Sequence, residues 1–368
     1  MEDKLRFTDI VSGLPPTVPF VPPEALERRA GSELVLRAGA NESNFGASPS
    51  ARAAMCQAVE KVHWYNDPEG FELRGELARY HRVEREEIAL GSGIDELLGL
   101  LVRLFVEPGD GVLTSLGAYP TFNYHVEGYG GLLHKVPYRD DCEDLQGLAR
   151  AAGQMAPKLV YVANPDNPMG TWHSAASIEA FALALPPSSL LILDEAYADF
   201  APRDAIPAVD TARRNIVRLR TFSKAHGMAG ARVGYAICHR EMVAALDKVR
   251  NQFGVNRIAQ AGALASLRDE SFVQSVVEQV AQGRREYAEL ASELGAVVLP
   301  SATNFIAFDT GHSERAKALV KGLLARGVFV RMPGVAPLDR CIRVTIGPTS
   351  ERRFFTEILR QEWRKVSP

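Results

Sequence analysis

Short apolar runs recur through the first two thirds of the chain, and each stops at a glycine or a polar residue. IALGSG, DGVLTS, KLVYVANP, SLLILDEAY, NIVRLRTFS and GYAIC are of this kind. Their length, their β-branched content and their polar ends predict buried strands. Between them, IDELLGLLVRLFV and SIEAFALAL place apolar residues at helical spacing. Strands alternating with helices predict an α/β unit whose mostly parallel sheet is covered on both faces.

From about residue 245 the pattern changes. VAALDKVRNQF and VQSVVEQVAQGRREYAELASEL read as long helices. AVVLP, NFIAF, VFVRM and IRVTIG then read as strands, with the helix ERAKALVKGLLARG among them. This predicts a smaller α+β domain over 251–368, after a large domain over 41–250. The proline-rich stretch GLPPTVPFVPPEALERR within 1–40 suits an arm laid over a surface and joined to the small domain.

Composition narrows the function. In 368 residues, 42 basic and 45 acidic groups give a net charge of −3, so no nucleic-acid footprint is present and any basic site must be local. The four cysteines, Cys56, Cys142, Cys238 and Cys341, form no CxxC pair, which argues against a disulfide framework and fits a reducing cytoplasm. The histidines lack metal-ligand spacing, so no metal is assigned. The charged opening MEDKLRFTDI and the lack of any run as long as a membrane span predict a soluble protein without a membrane partner.

The strand ends carry the chemistry, since ligands of such sheets bind there. Gly93 and Asp95 follow the first run, Asn164 to Asn167 the third and Asp194 the fourth, while Ser223 and Lys224 follow NIVRLRTF. A lone lysine in a loop is ordinarily a solvated one. A buried lysine can attack a carbonyl once desolvation or a nearby cation lowers its pKa, and Arg232 and the apolar neighbours of Lys224 are candidates to do both. Asp194 could equally be a helix cap, but an aspartate against a pyridinium nitrogen, with Tyr197 and Asn167 near the ring oxygen, is what pyridoxal phosphate requires. GSGIDE puts two glycines before a helix start, where free amides hold phosphate, with Ser223 and Arg232 completing the cradle. It is neither a dinucleotide fingerprint nor a P-loop.

In order along nearly the whole chain, NESNFGASP, WYNDPEGFELR, GSGIDELL, GAYPTFNYH, ANPDNPMG, LDEAY, TFSKAHGMAGARVGY, NFIAF and IRVTIG resemble the fold-type I pyridoxal phosphate enzymes. The resemblance is to the aminotransferase class that contains histidinol-phosphate aminotransferase. It implies that Lys224 bonds the cofactor and shuttles a proton, that Asp194 pairs with the ring nitrogen, and that Tyr197 and Asn167 meet the ring oxygen. Tyr119 would stack on the ring. The amides of Ile94 and Asp95, the Ser223 hydroxyl and Arg232 would bind the phosphate. Tyr65 would reach that phosphate from a partner subunit, implying a homodimer. Arg343 would grip an anionic substrate group, with Arg331 as a second substrate arginine.

The implied reaction moves an amino group from L-histidinol phosphate to 2-oxoglutarate. An aromatic amino acid donor, a decarboxylase or C–S lyase on the same scaffold, and a non-catalytic cofactor-binding protein are the rivals. The chain departs from the family at Met169, at Asn41, Glu42, Ser43 and Asn44, and at Tyr65, Asn66 and Asp67, around the substrate pocket. His226 beside the lysine segment suits local packing or contact with the cofactor region.

Overall fold

The computed structural model describes residues 5–16 and 21–366; the parts of the expected arm at 1–4 and 17–20 lie outside the described residues. The strands in chain order are β1 (Leu36–Arg37), β2 (Ile88–Gly91), β3 (Gly111–Ser115), β4 (Leu132–Val136), β5 (Leu159–Ala163) and β6 (Leu190–Asp194). They continue with β7 (Ile216–Thr221), β8 (Gly234–Ile237), β9 (Val297–Val298), β10 (Phe305–Asp309), β11 (Val328–Phe329) and β12 (Cys341–Thr345).

β2 to β8 form one sheet in the order β2-β8-β7-β6-β5-β3-β4. All neighbours are parallel except β8, which runs antiparallel to both β2 and β7. Every residue of β5 and β6 is buried, as continuous apolar strands covered on two faces require. One face carries Leu97, Leu101, Phe122, Tyr161 and Ile192, and the other carries Leu148, Val160, Phe181 and Leu191. The parallel strands point the same way, so Ser115, Ala163, Asp194 and Thr221 end along one rim. That rim is the floor of the site.

β12-β10-β9 form a small antiparallel sheet. It packs with helices Glu270–Glu293, Ser313–Ala325 and Thr349–Val366 around Tyr287, Phe308, Leu319, Phe355 and Trp363. The same apolar cluster takes in Tyr197, Phe200 and Ala225 from the large sheet's rim. The N-terminal segment joins this part as well: Leu36 and Arg37 of β1 pair in parallel with Val328 and Phe329 of β11.

The helix Arg257–Arg268, beyond residue 250, packs its Ala259, Ala263 and Leu267 with Leu73, Leu77, Ile88 and Phe222 of the large unit. The change of pattern near 245 in the sequence therefore marks where helices succeed strands, and the change of packing partner comes after this helix.

Candidate active site

A cleft of about 810 Å³ opens at the rim. Its wall includes Ile94, Asp95 and Tyr119 from the β2 and β3 ends, Asn167, Asp194 and Tyr197 from β5 and β6, and Ser223, Lys224 and Arg232 after β7. Arg331 and Arg343 close it from the small sheet's side. Eleven residues named from the sequence thus share one cavity. Tyr65 does not: it is 79% exposed, and its ring stacks on Phe253 at 4.6 Å between centroids.

Lys224 sits in a turn fixed by backbone bonds. The Ser223 amide donates to Thr221 Oγ1 (3.0 Å), Gly227 N to Lys224 O (3.0 Å) and Met228 N to Phe222 O (2.9 Å). Gly227 has φ +68°, and a Cβ there would collide with the Gly46 carbonyl, so only glycine lets the N-terminal segment lie across the lysine turn. Lys224 Nζ donates to the Asn41 carbonyl at 3.1 Å. Burial, then the positive charge of Arg343, lowers its pKa to about 8, against the pull of Asp194. The cation that matters is Arg343. Arg232, the candidate from the sequence, lies instead against the Ser92 and Ala229 carbonyls.

Asp194 is buried and accepts from Tyr161 Oη at 2.8 Å and from the Ala196 amide at 2.9 Å. Burial raises its pKa to about 6, and the Tyr161 hydrogen bond holds it from rising further. Near neutral pH it is mostly a carboxylate. Tyr197 accepts from Asn41 Nδ2 at 2.8 Å and packs edge-on against Phe305.

At the β2 end, Gly93 (φ +84°) turns the chain into the helix Ile94–Phe105, and a Cβ there would strike the Arg232 guanidinium. First-turn amides at a helix N-terminus and this guanidinium are groups that could seat an anion. Arg232 Nη2 lies 3.8 Å from Asp95 Oδ2, and Tyr119 Oη donates to Asp95 Oδ1 at 2.9 Å. The Ser223 hydroxyl accepts from Thr221 Oγ1 at 2.9 Å.

Arg343 donates from Nη1 to Asn167 Oδ1 and from Nη2 to the Gly39 carbonyl at 3.2 Å, with its charge 5.2 Å from the Phe305 ring centre. Its Nε is buried without a partner, and burial lowers its pKa to about 10. Arg331 bridges Arg343 through backbone bonds in both directions and reaches the Val21 carbonyl at 3.2 Å. Two guanidiniums therefore border one part of the cleft.

Sequence reasoning missed Tyr161 and the role of Asn41. Tyr161 is the one hydroxyl in LVYVA, a signal available but weak. Asn41 appeared as a departure from a motif, whereas its φ of +55° lets its amide, carbonyl and carboxamide serve Thr345, Lys224 and Tyr197. His226 pairs with Ser266 Oγ at 2.8 Å and lies against Phe222, a packing role. Among the described residues, no group of three or more His, Cys, Asp or Glu is disposed to hold a metal ion, and no helix is long and apolar enough to cross a membrane.

A desolvated lysine and a buried aspartate at the strand ends of an α/β sheet, under a second unit that supplies arginines, define an aminotransferase-type enzyme. The chain belongs to the aminotransferase class I and II family, whose model matches residues 34–357. It is 36% identical to histidinol-phosphate aminotransferase 2 of Carboxydothermus hydrogenoformans, over 95% of this chain and 97% of that one. It is 34% identical to histidinol-phosphate aminotransferase of Moorella thermoacetica, over 96% and 92%. The crystal structure of histidinol-phosphate aminotransferase from Sinorhizobium meliloti in complex with pyridoxal-5'-phosphate superposes with a TM-score of 0.95 at 48% identity, covering 100% of both chains. A Thermus thermophilus aspartate aminotransferase double mutant, at 23% identity and TM-score 0.82, shares the fold.

Proposed function

We propose that this protein uses pyridoxal 5'-phosphate to move the amino group of L-histidinol phosphate to 2-oxoglutarate. The observation that carries the donor assignment is the paired Arg331 and Arg343 on the small sheet's side of a cleft that also contains Lys224. A phosphate monoester carries close to two negative charges near neutral pH and suits two guanidiniums better than one carboxylate does. The names of the similar proteins point the same way.

The residues present fit the cofactor. Lys224 has an amine that is partly neutral near pH 7, Asp194 is a buried anion at the end of the neighbouring parallel strand, and Gly93 leaves room for Arg232 beside the helix N-terminus. When bound, pyridoxal phosphate supplies an aldehyde for amines and a ring that accepts the electron pair released at the donor's carbon. Asp194 would keep that ring nitrogen protonated. Tyr197 and Asn167 would hold the ring oxygen, Tyr119 would cover the ring face, and Ile94, Asp95, Ser223 and Arg232 would hold the phosphate. Lys224 Nζ, partly neutral, would be the base that takes the proton from the amine-bearing carbon of the donor and gives it back. Arg343 and Arg331 fix the donor's anion so that this proton faces the lysine.

The working form we infer is a homodimer in the cytoplasm, with Tyr65 completing the partner's phosphate site. Val62, Trp64, Tyr65, Phe71 and Phe253 are each exposed, and the Tyr65 ring stacks on Phe253, apolar surface of the kind that marks protein contacts. The four free thiols suit a reducing compartment. We take the arm as residues 1–40 and the large unit as ending near Asp269, after the helix Arg257–Arg268.

The test is the absorbance spectrum of the purified protein before and after L-histidinol phosphate, with no keto acid present. The expected result is loss of the lysine-bound cofactor band and growth of the aminated cofactor band. A cofactor band indifferent to this donor but responsive to an aromatic amino acid would replace the donor assignment. Carbon dioxide or ammonia release would replace transamination itself.

A further inference from the structure

One wall of the cleft has a polar group that the proposed chemistry leaves unused. Asn123 lies in the first turn of the helix Pro120–Gly128, whose N-cap is Tyr119. It lines the cleft beside Leu116, Tyr119 and Lys135. Its Oδ1 is shut away from solvent and has no hydrogen-bond partner in the structure. A buried carbonyl oxygen left unpaired costs about 1–3 kcal/mol, which a turn of the carboxamide toward a ligand N–H in the cleft would recover. Lys135, on β4 across the same wall, is exposed and has no ion pair among the described residues.

We infer that Asn123 reads the side chain of the amino donor, pairing its carboxamide with a ring nitrogen of a neutral heteroaromatic group. This rests on the aminotransferase reading above. Tyr119 and Leu116 give the flat apolar surfaces that a ring needs, the carboxamide offers both a donor and an acceptor, and the Lys135 ammonium disfavours a cationic side chain. A phenyl ring would fit the same slot but leave the carboxamide unpaired. Asn123 is therefore a specificity residue, distinct from the arginines that hold the anion.

The experiment measures kcat/KM for two donor pairs, each an imidazole compound against its phenyl counterpart: L-histidinol phosphate with L-phenylalaninol phosphate, and L-histidine with L-phenylalanine. Wild type and Asn123→Leu are compared, with the cofactor band and Tm recorded for both. The expected result is a fall of the imidazole-to-phenyl ratio by about 10- to 100-fold in Asn123→Leu, carried mainly by KM, with the phenyl donors unchanged or improved. An unmoved ratio, or an equal loss on both rings, overturns the inference. Failure of both phosphates with turnover of the carboxylate pair would sink the histidinol phosphate reading, and the ratio within that second pair still decides on Asn123.

Discussion

Lys224 Nζ donates to the Asn41 carbonyl at 3.1 Å, and the Asn41 carboxamide donates to Tyr197 Oη at 2.8 Å. One residue of the N-terminal segment thus holds two groups of the cleft, and Thr345 Oγ1 of β12 holds that residue through its amide at 3.1 Å. The lysine is tethered and still short of full protonation. With its pKa lowered to about 8, roughly one amine in ten is neutral at pH 7. The rate at which apoprotein takes up pyridoxal phosphate, read as growth of the lysine-bound band in stopped flow, should rise about tenfold per pH unit below 8 and level off above it. A rate still climbing past pH 9.5 would mean an ordinary lysine. The same shift bears on stability: the folded amine binds fewer protons than the unfolded one between 8 and 10.5, so this group's contribution is present above that window and lost as pH falls through 8.

Asn41→Gly keeps the left-handed backbone and the carbonyl that Lys224 uses, and removes only the carboxamide. The variant should fold, keep its cofactor, and lose about tenfold in kcat because the Tyr197 hydroxyl is no longer aimed. Steady-state kinetics with wild-type cofactor occupancy checks this. Unchanged kcat would leave Asn41 a purely structural residue.

Asp194 has the opposite linkage. Its folded pKa lies above the unfolded value, so its contribution to apoprotein stability is present below pH 4 and lost as pH rises through about 6. At pH 7 the buried carboxylate is a cost that, on the proposed function, bound cofactor would offset. Asp194→Asn, which keeps an acceptor for the Ala196 amide, should leave the apoprotein's Tm unchanged or higher while lowering turnover by at least 100-fold. A clear fall in apoprotein Tm would show that the carboxylate is instead part of the fold's own support.

Gly93→Ala tests the anion seat. A methyl group there meets the Arg232 guanidinium, and the φ of +84° is strained for any L side chain. Cofactor affinity by equilibrium dialysis should fall about 10- to 100-fold, while donor KM at saturating cofactor changes little. An unaltered affinity would remove Arg232 from the seat.

Much of this was legible in the sequence because strands and their ends are local. Apolar runs such as LVYVA and LLILD name their own burial, and the residue that stops each run is placed on the rim by the parallel sheet alone. What was hidden depends on contacts between distant segments. Nothing near Lys224 in the chain announces Arg343, 119 positions on, as the cation that lowers its pKa, nor Asn41 as its tether. The partner of Arg257–Arg268 was hidden for the same reason, since an amphipathic helix reports that it has a buried face and not what covers it.

Glu195, next to Asp194, anchors the two strands that carry the lysine and the aspartate. Its side chain is fully buried, and it accepts from Arg218 at 3.0 and 2.6 Å and from Arg220 Nε at 3.0 Å, both arginines lying on β7. Burial pushes the Glu195 pKa up, but Arg220 and Arg218 outweigh it and hold the group ionised below the usual carboxylate range. That contribution is present above the ordinary carboxylate pKa and is lost only as the pH falls through the lowered value. Replacing the charge by an amide leaves two guanidiniums side by side without a counter-ion, a change that costs about 3–5 kcal/mol when one partner of a buried pair is removed. Glu195→Gln should therefore lower the urea midpoint at pH 7 by an amount equivalent to about 3 kcal/mol, and the loss should shrink in acid, where the wild-type carboxylate also becomes neutral. A midpoint within about 0.5 kcal/mol of wild type would mean that solvent reaches these arginines and that the strand ends are held by packing alone.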